Sequence, residues 1–78
     1  MKWDDLIERK PDVLQGKPVI KGTRITVELI LERLADGWGE DELLASYPQL
    51  AQEQVRAALA YAASSLATDE IVFLADEA

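Results

Sequence analysis

Twelve residues, Gly16-Lys17-Pro18-Val19-Ile20-Lys21-Gly22-Thr23-Arg24-Ile25-Thr26-Val27, limit this chain more than any other stretch. Two glycines and a proline stand within seven positions, so no helix runs through them without a large cost. The apolar pair Val19-Ile20 between them reads as a short strand, and Lys17, Lys21 and Arg24 load the same segment with positive charge. Beyond it, nearly every apolar pattern has the spacing of a helix. The chain therefore divides into a punctuated front and a helical body.

The body opens at Thr26, whose hydroxyl suits a helix N-cap. Val27, Ile30, Leu31 and Leu34 then fall at i, i+3, i+4 and i+7, one apolar face, until Gly37 ends the helix. Glu40-Asp41-Glu42 place three acids on the first turn of a second, short helix, where the helix dipole favours them. Leu43, Leu44 and Tyr47 point inward and Pro48 stops it. A third helix is expected from about Ala51 to about Ala67, with Val55, Ala58, Leu59, Ala62 and Leu66 inward and the alanines 57, 60 and 63 allowing a close helix neighbour. Three helices with a tight turn at Tyr47–Leu50 match helix-turn-helix spacing, which many small domains share without meeting DNA.

Before the loop, Pro11 keeps Leu6–Arg9 short and extended. Val13-Leu14 and Pro18–Ile20 are expected to pair as two small strands joined through Gly16. The divisions are an arm over residues 1–26, a helical domain over 27–67 and a tail over 68–78. In the tail, Ile71-Val72-Phe73-Leu74 is an apolar run fenced by Asp69, Glu70, Asp76 and Glu77. Docking on a partner, or packing on its own domain or dimer mate, is the expected role of that run.

Composition then removes several chemistries. With no cysteine and no histidine, the chain has no disulfide, thiolate nucleophile or imidazole acid/base group, and it lacks the usual zinc ligands. No cofactor and no metal site are expected. Consecutive acids on a helix diverge by about 100 degrees, so Glu40-Asp41-Glu42 do not converge on one ion. No apolar run is long enough to span a bilayer and the N-terminus lacks a signal-peptide pattern, so a cytoplasmic protein is expected. At 78 residues, burial and ordering costs nearly cancel, which argues for a homodimer or another protein partner. The net charge of −7 is unevenly spread: residues 1–24 carry +2 and residues 25–78 carry −9. A cationic front suits a polyanion and an acidic rear suits a basic protein.

The glycine–lysine–proline at 16–18 and the glycine–threonine–arginine at 22–24 also carry a resemblance. With Pro11-Asp12-Val13, Asp36-Gly37, Leu43-Leu44, Tyr47-Pro48, Leu50, Val55, Ala58-Leu59 and Tyr61-Ala62, the chain resembles the small bacterial family known as domain of unknown function four hundred and thirty-three, over roughly residues 7 to 63. Its members resemble VapB-type antitoxins. The resemblance implies a mainly α fold, a homeodomain-like three-helix helix-turn-helix bundle behind a short N-terminal β arm. It also implies a dimer that binds a PIN-like nuclease toxin or operator DNA. Where the family often has serine or threonine opening the second and third helices, this chain has Gly39 and Ala51, so weaker caps are expected there.

The residue-level expectations follow. Lys17, Lys21, Thr23 and Arg24 either contact phosphate or serve the loop itself, with Arg24 pairing to Glu28. On the third helix Gln52 and Arg56 either read bases or form a solvated face beside Gln49, Gln54 and Glu53. Trp38 and Tyr47 are expected to pack over the ends of the core. The function expected is a non-enzymatic antitoxin of a type II toxin–antitoxin pair, binding a PIN-like nuclease toxin and, as a further ligand, operator DNA. The alternatives are a stand-alone helix-turn-helix transcriptional regulator and an oligomerisation or adaptor module.

Overall fold

The computed structural model describes the backbone of residues 3–69 and the side chains of residues 3–67. A 3-10 turn at Trp3–Asp5 leads into strand β1, Ile7–Glu8, and strand β2 is Val19–Ile20. Helices α1 (Val27–Ala35), α2 (Glu40–Ser46) and α3 (Gln52–Asp69) complete the described chain. The fold is mainly helical, with a two-stranded antiparallel sheet near its N-terminus.

The sheet departs from expectation in its pairing. β2 runs antiparallel to β1, with Ile7 opposite Ile20 and Glu8 opposite Val19. Val13-Leu14 is not a strand, because Leu14, Gln15 and Gly16 take positive φ values of 49°, 59° and 79° in succession. That left-handed run curls the chain and leaves no extended edge to pair. The Arg9 Nε closes the excursion by donating to the Gly16 carbonyl at 2.8 Å. Ile7 is the better partner because it sets a half-buried apolar side chain against the core, whereas Leu14 is exposed.

β2 is also held on its other edge. Val19 bridges Thr26, the Ile20 N–H donates to the Ile25 carbonyl at 2.9 Å, and the Val27 N–H donates to the Pro18 carbonyl at 3.0 Å. The central strand is thus satisfied on both sides, and Val19 and Ile20 are buried.

Helix α1 starts and stops where its residues dictate. The Thr26 hydroxyl accepts from the Leu29 N–H at 2.9 Å. At its far end Gly37 sits at φ 98°, donating to the Leu34 carbonyl while the Trp38 N–H donates to the Arg33 carbonyl, each at 3.0 Å. Those two bonds are the paired closure of a Schellman motif, which needs a left-handed residue at this position. Gly39 and Ala51 offer no capping side chain, yet neither helix start is bare. The Glu42 carboxylate accepts from the Gly39 N–H at 2.9 Å, and the Gln54 side-chain oxygen accepts from the Ala51 N–H at 2.6 Å. Each is the returning half of a capping box.

The core is Ile20, Ile25, Val27, Ile30, Leu43, Leu50, Val55 and Ala58, with Trp38 and Tyr47 packed against it as expected. Helix α3 buries Val55 and Ala58 as expected but leaves its two expected inward leucines outside the core. Ala57 and Ala58 are fully buried, while Leu59 and Leu66 are 44% and 56% exposed. Small side chains let the N-terminal segment and α1 approach closely, and Trp3 lies edge-on to Tyr61 at 5.7 Å. α3 also continues to Asp69, past its expected end.

Candidate functional site

Among the described residues, two surfaces offer candidate binding ground. The first is the turn from β2 into α1. Thr23 makes the turn itself: its hydroxyl donates to the Ile20 carbonyl at 2.8 Å and accepts from the Ile25 N–H at 3.0 Å. Gly22, at φ 79°, donates its N–H to the Glu8 carboxylate at 3.1 Å, tying the turn to β1. Lys21 and Arg24 flank this frame, both exposed and without an ion pair among the described residues. Lys17 differs, because its Nζ lies 3.0 Å from Glu28 on α1. That pair occupies the carboxylate expected for Arg24. Of the four loop residues, two are free, one is paired and one is built into the backbone's hydrogen bonding.

On α3, Gln52 and Arg56 are exposed one helical turn apart, so they share a face. The Gln54 side-chain oxygen is committed to the Ala51 N–H, so Gln54 cannot offer its full amide edge to a base. Arg33 stacks over Trp38, with its guanidinium carbon 5.4 Å from the ring centroid. Glu42 likewise spends its carboxylate on a helix start, and among the described residues no three metal-ligating side chains converge. The apolar run Ile71, Val72, Phe73 and Leu74 lies outside the described residues.

The second surface is a groove between α1 and α3, of about 440 Å³ and open to solvent along its length. Val27, Leu31 and Ala35 form one wall; Tyr61, Ala62 and Ser65 form the other; and Pro18 closes an end. Its lining is almost wholly apolar, with Glu28 and Glu32 as the charged side chains on its margin. Sequence reasoning missed it. The signal was present in the small residues Ala35, Ala62 and Ser65, which leave a gap beside α1, whereas close helix approach was expected at the alanines 57, 60 and 63.

The family profile described as "Protein of unknown function (DUF433)" matches residues 7–62. An uncharacterized protein, y4eO, from Sinorhizobium fredii is 34% identical over 58 residues, covering 74% of this chain and 26% of that protein. A crystal structure of a DUF433 member protein from Anabaena variabilis superposes with a TM-score of 0.70 at 38% identity, covering 72% of this chain and 55% of that one. The chain thus spans about a quarter of the first relative's length and about half of the second's.

Proposed function

We propose that this chain, which belongs to the DUF433 family, is a non-enzymatic, antitoxin-like protein that binds a nuclease toxin of the PIN-like type. The observation that carries this reading is the unevenness of its surface charge. Exposed carboxylates on the helical body, among them Glu32, Asp36, Asp41 and Glu53, have no cationic partner among the described residues. Enzymes that cut RNA have cationic substrate-binding surfaces, and an acidic body with apolar ground beside it is complementary to such a surface. Inhibition then follows from occupancy, with no chemistry required of this chain.

A second reading, contact with operator DNA, is favoured by Lys21 and Arg24, which stand unpaired on the β2–α1 turn. In it α2 and α3 act as a homeodomain-like helix-turn-helix, with Gln52 and Arg56 towards the bases. Each phosphate contact steepens the salt dependence of binding by about 0.9 in log–log slope. Two unpaired cations on each β2–α1 turn therefore give weak phosphate binding at physiological salt, so an antitoxin bound to its toxin is the primary role.

Co-expression of the chain with the product of the adjacent gene, followed by co-purification and an RNA-cleavage assay, tests the proposal. A stable complex with suppressed cleavage is expected. Recovery of the chain alone, together with specific DNA binding at physiological salt, would replace it with the regulator reading.

A further inference from the structure

The groove between α1 and α3 is an unfinished piece of core. Val55 and Ala58 bury the inward face of α3, but further along the helix Ala62 and Ser65 stand across an open gap from Leu31 and Ala35. An apolar wall this open is costly to leave in water and matches the surfaces that take up partner segments. Glu28 and Glu32 stand one helical turn apart on its α1 margin. Glu28 shares its charge with Lys17, and Glu32 has no partner among the described residues.

We infer that this groove seats an amphipathic helix of the protein partner, one whose apolar stripe is flanked by lysine or arginine. The inference rests on the partner-binding reading above and specifies the chemistry of the docked segment. Length fits: α1 has nine residues, about 13.5 Å at 1.5 Å per residue, and so matches two to three turns of a helix laid along it. Charge selects among the occupants. The chain's own apolar run, residues 71–74, is fenced by four acids and would bring them towards Glu28 and Glu32. A second copy carries the same net −7. A cationic helix alone turns the acidic margin into an attraction, with one of its cations displacing Lys17 from Glu28 and another meeting Glu32.

Selection of helical peptides from a phage-displayed library on the immobilised full chain tests this. Enriched peptides are expected to carry leucine, isoleucine or phenylalanine at i, i+3, i+4 and i+7 with flanking lysine or arginine. Their binding should be lost in Ser65→Trp, which fills the groove, and become roughly tenfold weaker in Glu32→Lys, a rim charge reversal at an exposed position. Ser46→Ala, at an exposed position of α2 outside the groove lining, should leave it unchanged. Circular dichroism confirms that each variant is folded, and Glu32→Lys serves should Ser65→Trp fail to fold.

Several outcomes overturn the inference: no enrichment, enrichment of acidic peptides, or binding indifferent to both groove variants. A chain lacking residues 70–78 that binds the peptides tenfold more tightly assigns the groove to its own tail. A dimer made monomeric by Ser65→Trp assigns it to a second copy. The neighbouring-gene complex separates the two proposals. If it forms and withstands both groove variants, the groove inference fails and the antitoxin reading stands. If it never forms while cationic peptides still bind the groove, the reverse holds.

Discussion

Thr23→Val distinguishes a side chain that builds the β2–α1 turn from one that touches a ligand. Valine keeps the branched shape and removes the hydroxyl, so two hydrogen bonds are lost: the one donated to the Ile20 carbonyl at 2.8 Å and the one accepted from the Ile25 N–H at 3.0 Å. The Ile20 carbonyl retains the Thr23 N–H at 2.9 Å, but the Ile25 N–H is orphaned in a partly buried setting. At about 0.5–1.5 kcal/mol net per bond, the loss is about 2 kcal/mol. A domain of this size has a total stability of roughly 4–12 kcal/mol, so the effect is a large share of it. The melting temperature should fall by roughly 8–16 °C. Urea denaturation followed by circular dichroism should show a lower midpoint at unchanged slope. Thr23→Ser, which keeps the hydroxyl, should recover most of the loss. A Thr23→Val protein within about 0.5 kcal/mol of the parent, yet defective in binding its partner or DNA, would refute this account of the turn.

Ala51→Ser supplies the missing half of the capping box opposite Gln54 and should raise stability by about 1 kcal/mol in the same denaturation assay. Leu43→Ala removes a fully buried side chain of the core and should cost about 2–5 kcal/mol, enough to unfold a large fraction of the protein on mild heating. Gln15→Gly relieves a left-handed residue at φ 59° and should stabilise by about 1 kcal/mol, read from the thermal midpoint. Lys17→Ala breaks an exposed ion pair and should change stability by less than about 0.5 kcal/mol.

Helix α1 was legible because three local signals agree on its limits: a threonine cap, an apolar stripe and a terminal glycine. The family was legible from the glycine–lysine–proline and glycine–threonine–arginine segments. The strand pairing was not, because left-handed φ at Leu14 and Gln15 has no signature in those residue types, and only the tertiary contact of Ile7 beside Ile20 decides which strand β2 accepts. The burial of α3 was misjudged in part, for a related reason. Val55 and Ala58 are buried as their positions predict, but hydrophobicity also pointed to Leu59 and Leu66, which stay exposed, whereas close approach is governed by size and buries Ala57 beside Ala58. In the candidate site, the exposed cations could be read from charge alone. The commitment of Thr23 and Gln54 to backbone groups, and the gap beside Ala62, depend on contacts between distant segments.

Hydrogen bonds along both flanks of Val19-Ile20 weld the front of the chain to the helical body. Lys21 and Arg24 consequently ride on a fixed mount instead of a floppy tether. Whatever anion meets them finds two charges already in place, so little entropy is spent in ordering the turn, and their reach ends where their own side chains end. Such a mount favours a ligand of one particular contour over many ligands of loosely similar charge.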